Sequence, residues 1–175
     1  RHTRYWRDWS SDVCSSDLTS QTAANLERLP EGVFHVTDDA LLLARVVVGG
    51  GGTVPASRPA TAVRGRVLEG VCRGYEFRVI HRDASRERIR LDAEVLAVHE
   101  GRPFAGFNRA RHAVVEGAIL VTRLHLLEAD EIRRQFAALE VLVEKTGGTR
   151  EREAFAILRS RVDAVVNSPA GSSPI

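Results

Sequence analysis

Tyr75 to His99 reads YEFRVIHRDASRERIRLDAEVLAVH, and its periodicity decides the class of the fold. Tyr75, Phe77 and Val79 alternate with Glu76 and Arg78; after a polar turn at Asp83 to Glu87, the run Ile89 to His99 alternates again through Leu91, Ala93, Val95 and Ala97. A period of two belongs to strands with one covered face, so the stretch predicts an antiparallel hairpin. The apolar rows share one face, with Arg78, Arg90, Asp92 and Glu94 on the other.

Past the loop GRPFAGFN (Gly101 to Asn108) the period changes to about 3.6 residues. Ala110, Ala113, Val114, Gly117, Val121 and Leu124 form one helical stripe, Ile132, Phe136, Leu139 and Val143 a second, and Phe155, Leu158, Val162 and Val165 a third. Glu128, Asp130 and Glu131 open the second helix and Lys145, Gly147 and Gly148 close it, as macrodipole and capping arguments require. Thr149 is expected to cap the third.

On the N-terminal side, Thr19 to Leu29 is a Ser/Thr-rich entry into helix-favouring residues, with Ser20 or Thr22 the natural cap. Gly32 to Thr37 is short, apolar and β-favouring and reads as a strand ending at Asp38 and Asp39. Ala40 to Val48 mixes helix-favouring leucines with β-favouring valines, and the preceding Asp tips it to a short helix. The run Gly49 to Gly52 is a loop: it lacks the Gly-Lys-Ser/Thr ending of a Walker loop, and a dinucleotide fingerprint would need glycine where Val54 stands. A β-rich part followed by three helices is an α+β pattern of segregated elements, with a division expected between residues 19–103 and 104–166 and a frayed Ser/Pro/Gly-rich tail at 167–175.

The chain has 175 residues, 43% hydrophobic and 27% charged, a composition that excludes disordered and collagen-like classes. No apolar run reaches the roughly 18 residues of a membrane span, and residues 1–18 lack a secretory core, so the cytoplasm is the expected location and no membrane partner is expected. Residues 1–18 are foreign in composition: they hold both tryptophans and Cys14, one of the two cysteines. Their last seven residues, DVCSSDL, read as the conceptual translation of a sequencing adapter. With no methionine in the chain, the expectation is that 1–18 is an adapter-derived artefact in front of an N-terminally truncated protein. Without it the net charge stays at +2, because its three arginines and three aspartates cancel. All but one of the 25 basic residues are arginine, interspersed with acids, so no nucleic-acid footprint stands out and no nucleic-acid partner is expected.

Catalytic signatures are scarce. The chain has no GxSxG, HExxH or CxxC, and its histidines are never four apart on one helix, so no metal site is expected. His112 and His125 flank a helix, but a helical ion pair explains the spacing of His112 and Glu116 without chemistry. Cys72, beyond the N-terminal segment, reads as a small buried hydrophobe. The stretch with the most specific logic is Thr19 to Leu26, where hydroxyl side chains and helix N–H groups suit a phosphate or other anion.

Three segments carry a family resemblance: Thr19 to Gly50 (TSQTAANLERLPEGVFHVTDDALLLARVVVGG), Gly106 to Leu127 (GFNRARHAVVEGAILVTRLHLL) and Leu139 to Glu153 (LEVLVEKTGGTRERE). Together, in this order, they resemble the "domain of unknown function 447" (DUF447) family. The resemblance implies an FMN-binding split β-barrel, similar to flavin reductases, followed by a small helical domain, and it implies a homodimer. In that scheme Thr19, Ser20, Thr22 and Asn25 hold the FMN phosphate. Thr37 and Asp38 are candidates for the flavin or ribityl pocket. Asn108 and Arg109 could close over the site, although Asn108 serves equally well as a helix start. The implied activity is that of an FMN-dependent oxidoreductase acting on an unidentified small molecule, linked to tetrahydromethanopterin-dependent C1 metabolism. The alternative is a non-catalytic flavin-binding or assembly module, since no catalytic acid or base stands out. Members of the family begin with further strands, so the truncated chain is expected to lack part of the barrel.

Overall fold

The computed structural model describes residues 21–49, 55–85 and 89–166. In chain order the elements are α1 (Gln21–Arg28), β1 (Glu31–Val36), α2 (Ala40–Val48), β2 (Ser57–Pro59), β3 (Arg66–Leu68), β4 (Arg73–Asp83), β5 (Arg90–Glu100), α3 (Arg109–Thr122), α4 (Ala129–Thr146) and α5 (Thr149–Val166). The α+β class expected from the change of period is the one observed. Residues 1–18, the 167–175 tail and the centre of the glycine run lie outside the described residues.

The described residues divide into two compact units, 21–37 with 55–85 and 89–104, and 38–49 with 105–166. Chain order had grouped α2 with the strands. The structure corrects this, because α2 presents Ala40, Leu41 and Ala44 to the same apolar core as α3, α4 and α5. Eight of the nine residues of this helix are apolar, and packing against three amphipathic helices buries its Ala40, Leu41 and Ala44 face.

In the sheet unit, β4 is central: β1 and β5 pair with it on either side, both antiparallel. The expected hairpin is β4–β5, with Tyr75 opposite Val98 and Phe77 opposite Val95. Register shifts at Glu76/Phe77 and Val79/His81 interrupt the alternation, and such bulges re-aim neighbouring side chains. A separate two-stranded ladder, β2–β3, was not expected. Three-residue strands, one ending in Pro59, offer too short a run for period two to register. Among the described residues the strands form these two ladders rather than a closed barrel.

In the helical unit, the stripes read from the sequence supply the core. Ile132, Leu158 and Val114 are essentially fully buried, each contributing about 1.5–3 kcal/mol by removal from water. The Phe136 and Phe155 rings meet at 5.4 Å. Gly117 lets Leu158 pack closely on α3, since a Cβ there would lie 3.3 Å from Leu158 Cδ1. Val165 departs from its expected stripe and is exposed. Helix caps follow local chemistry. Asp39 Oδ1 accepts from Leu42 N at 3.1 Å, and Gly49 closes α2 in the left-handed conformation. Gly147 ends α4 in extended backbone, where it is needed for space: a Cβ would stand 2.5 Å from Val143 O. Thr149 begins α5 rather than capping it. The residue before it, Gly148, donates its N–H to Glu151 Oε2 at 3.0 Å, half of a capping box.

Candidate functional site

The chemistry of the sheet unit centres on one carboxylate. Glu76 is fully buried in mid-β4 and is the only charged residue buried as a whole, backbone and side chain together, among the described residues. Period two had put it among the residues facing water. It sits instead beneath the turn that joins β2 to β3, whose successive N–H groups converge on it. Oε1 accepts from Thr61 N at 2.7 Å and Thr61 Oγ1 at 2.9 Å, and Oε2 from Ala62 N at 2.5 Å and Val63 N at 3.2 Å. This is an anion nest built by the chain for its own carboxylate. Burial pushes the Glu76 carboxyl up, but the Thr61 N–H, the His99 ring and the Ala62 N–H together outweigh it and hold it at about 2.

His99, near the end of β5, completes the cluster. Its Nε2 lies 2.5 Å from Glu76 Oε1, and its Nδ1 lies 3.0 Å from an Arg58 guanidinium nitrogen on β2. A guanidinium can only donate, so Nδ1 accepts and the ring proton resides on Nε2, directed at Glu76. The result is a chain from Arg58 through a neutral imidazole to a buried carboxylate. Glu76 thereby fixes both tautomer and ring orientation of His99. His35 on β1 stands beside it. Leu68 N donates to His35 Nε2 at 3.0 Å, and burial, with His99 nearby, holds the His35 pKa down, keeping that ring neutral. Gly74 lies between the two histidines: a Cβ there would stand in ordinary contact with His99 Cβ at 3.6 Å and His35 Cδ2 at 3.7 Å.

Arg58 and His99 open on a groove of about 200 Å³, whose lining also includes Val67, Val71, Gly101 and Arg102. The wall is rigid at Gly101, whose N–H donates to Cys72 O at 3.0 Å, and at Arg102, whose Nε donates to Gly70 O at 2.8 Å. Such a cleft can receive a small polar group and offer it a cation and an imidazole.

The residues singled out from the sequence fall in several places. Thr19 and Ser20 lie outside the described residues. Thr22 and Asn25 are exposed on α1, three residues apart and therefore on one face. Asn25 Oδ1 accepts from Gln21 Nε2 and Arg28, leaving Nδ2 as the donor it can offer a ligand. Thr37 is half-buried after β1. Asp38 belongs to the helical unit, where Oδ2 accepts from Ala105 N and from Arg111, both at 2.9 Å. Arg111 also reaches Glu151 at 3.0 Å, so Asp38 takes part in an ion cluster within the helical unit. Asn108 caps α3 through Arg111 N at 2.9 Å, the helix-start role weighed for it, and Arg109 is exposed in the first turn. His112 and Glu116 form the expected exposed pair at 3.7 Å. No group of metal-binding side chains occurs among the described residues.

Sequence reasoning passed over Glu76, His99 and Arg58. Nothing in their spacing reveals them, because the β2–β3 ladder that brings them together has no periodic signature. The one hint is the pair Gly74 and Glu76, a small and an acidic residue on the face opposite the apolar row.

Residues 108–160, spanning α3, α4 and most of α5, match the family described as "Protein of unknown function (DUF447)". The matched segment lies within the helical unit. Among solved structures, the chain is similar to the FMN-bound protein MM1853 from Methanosarcina mazei, itself assigned to DUF447. The two share 20% identity with a TM-score of 0.68, over 82% of this chain and 77% of that one. The fold is therefore common to both. No curated protein matches the chain. No described helix is long and apolar enough to cross a membrane.

Proposed function

We propose that this protein binds FMN and acts as a flavin-dependent oxidoreductase on a small molecule, as a homodimer. The observation that carries the reading is the fold shared, over most of both chains, with a DUF447 protein crystallised with FMN. The residues present are compatible with the cofactor. Thr22 and Asn25 expose a hydroxyl and an amide donor on one face of α1, where hydroxyls and backbone N–H groups suit a phosphate dianion. When bound, FMN supplies the hydride and single-electron chemistry; the protein supplies anchoring, ring placement and exclusion of water. Of the chain's own groups, His99 is held as an Nε2–H imidazole between Arg58 and Glu76 at the edge of the groove. Reduced pterins are the first substrates to try, given the C1-metabolism link implied by the resemblance.

The test titrates the full chain with FMN and with riboflavin, following quenching of flavin fluorescence. Preference for FMN by about tenfold or more is expected for a phosphate-anchored flavin, and Thr22→Ala should weaken FMN binding while leaving riboflavin binding unchanged. Anaerobic mixing of the FMN complex with NADH, NADPH or reduced pterins should then bleach the flavin band. Absence of saturable FMN binding would overturn the cofactor assignment; binding without reduction by any donor would leave a flavin-binding module and overturn the oxidoreductase assignment.

A further inference from the structure

We propose that the groove beside β5 is a proton-linked binding site for a small oxyanion, a phosphate or carboxylate group, held by Arg58 and by the Nδ1 of His99. The inference is independent of flavin binding, since it rests on this chain's own groups.

Arg58 is the first ground. Among the described residues it has no carboxylate within ion-pair reach; its recorded partner is the neutral imidazole Nδ1 at 3.0 Å. A guanidinium presents five donors in a fork suited to two oxygens, and one ring nitrogen uses one of them. Arg58 is exposed and lines the groove, so an oxyanion can take up the remaining donors without a buried ion pair first breaking.

The second ground is what stands behind His99. Glu76 is a buried anion bound to Nε2 and fixed by four donors from residues 61–63. It holds the ring with Nδ1 towards the groove. While Arg58 occupies Nδ1, that nitrogen cannot carry a proton. Once an oxyanion draws Arg58 away, Nδ1 can accept a proton from solvent and donate to the anion, with Glu76 stabilising the imidazolium from the other side. One anion binds and one proton passes to Nδ1 from hydronium or a buffer acid, so an N–H bond forms as the acid's bond to that proton breaks; no heavy-atom bond changes.

The other charged groups around His99 fit this scheme. His35 on β1 is kept neutral by burial. Glu100, on β5, is engaged by Arg73 at 2.8 Å. Arg102 adds a second cation to the lining, and Glu69, after β3, lines the groove together with Glu100. Glu76 on β4 and Arg58 on β2 complete the set.

Sulfate is the probe, because it does not titrate near neutrality. Calorimetric titration of the full chain, in two buffers of different ionisation enthalpy and at several pH values, should show saturable binding with uptake of up to one proton. Affinity should fall as pH rises, by at most about tenfold per pH unit for one proton taken up on binding. Arg58→Gln should weaken binding by about tenfold or more. His99→Gln keeps a donor for Glu76, so it should still bind through Arg58 but with a flat pH dependence; unchanged melting curves confirm that both variants are folded. Prior saturation with FMN or riboflavin separates the possible sources of the oxyanion. Sulfate binding lost only with FMN assigns the groove to the flavin phosphate, and binding retained with both assigns it to an acidic substrate. Absence of saturable sulfate binding, or equal binding by wild type and Arg58→Gln, would overturn the proposal.

Discussion

Replacing Glu76 by glutamine tests whether a single carboxylate secures the β2–β3 ladder. Glutamine keeps the shape and one oxygen. If that oxygen faces Thr61 and His99, the amide NH2 meets the N–H groups of Ala62 and Val63 and two buried donors lose their acceptor; in the other orientation three donors do. Each orphaned group costs about 1–3 kcal/mol. Because the turn can relax towards water, the expected loss is about 2–5 kcal/mol at pH 7. The dependence on pH has a definite sign. The Glu76 carboxyl is depressed from 4.5 to about 2, so its contribution is complete above about 4.5 and disappears as pH falls towards about 2. Glu31, Asp39, Glu131 and Glu151 are also held below the usual carboxylate range, but they are common to both proteins and cancel in the difference. Urea denaturation of wild type and Glu76→Gln across this range gives that difference directly, and hydrogen exchange over residues 57–68 locates it. A gap under about 0.5 kcal/mol at pH 7, the size of an ordinary surface change, would refute the reasoning, as would a gap that stays constant down to pH 2.

Two further substitutions probe each unit separately. Arg111→Met removes the cation shared by Asp38 and Glu151, whose side chains are 3% and 13% exposed; the stranded carboxylates should cost about 3–5 kcal/mol, read as faster hydrogen exchange in α3 and α5. Gly101→Ala places a Cβ 2.0 Å from Val71 O, a backbone atom that cannot swing aside, and the forced shift should lower stability by about 1–3 kcal/mol in thermal melts.

The legible parts of this fold are those governed by apolar periodicity. All three C-terminal helices, the β4–β5 hairpin, the strand before Asp38 and the short helix after Asp39 follow from runs long enough to have a period or from a cap that fixes a start. α2 shows the limit of that logic. Its sequence announces a helix, but membership of a core depends on which apolar faces remain uncovered elsewhere, and chain order does not encode that. Glu76 shows a second limit. Alternation assigns a polar side chain to water, and only a turn folded back over that face converts it into a buried anion with backbone donors. Asn108 was readable because capping is a local interaction across three residues; the Arg58–His99 contact spans 41 positions and has no local trace.

The two units differ in the residues that fill their most deeply buried positions, and the difference bears on where a charged ligand can act. In the helical unit the largest fully buried side chains are Ile132, Leu158 and Val114; in the sheet unit the corresponding residue is Glu76. Apolar burial is indifferent to protonation, whereas a buried carboxylate ties the position of its donors to its own charge. The donors here are the turn between β2 and β3, and β2 carries Arg58. The placement of the groove's cation and the tautomer of its imidazole therefore depend on the same carboxylate. It follows that substitutions at the groove should separate into two kinds. Glu76→Gln should lower stability and sulfate affinity together, because it releases the strand that presents Arg58. Arg58→Gln should lower affinity alone, with stability changed by no more than about 0.5 kcal/mol, because the side chain is exposed and gives up one hydrogen bond to a neutral ring.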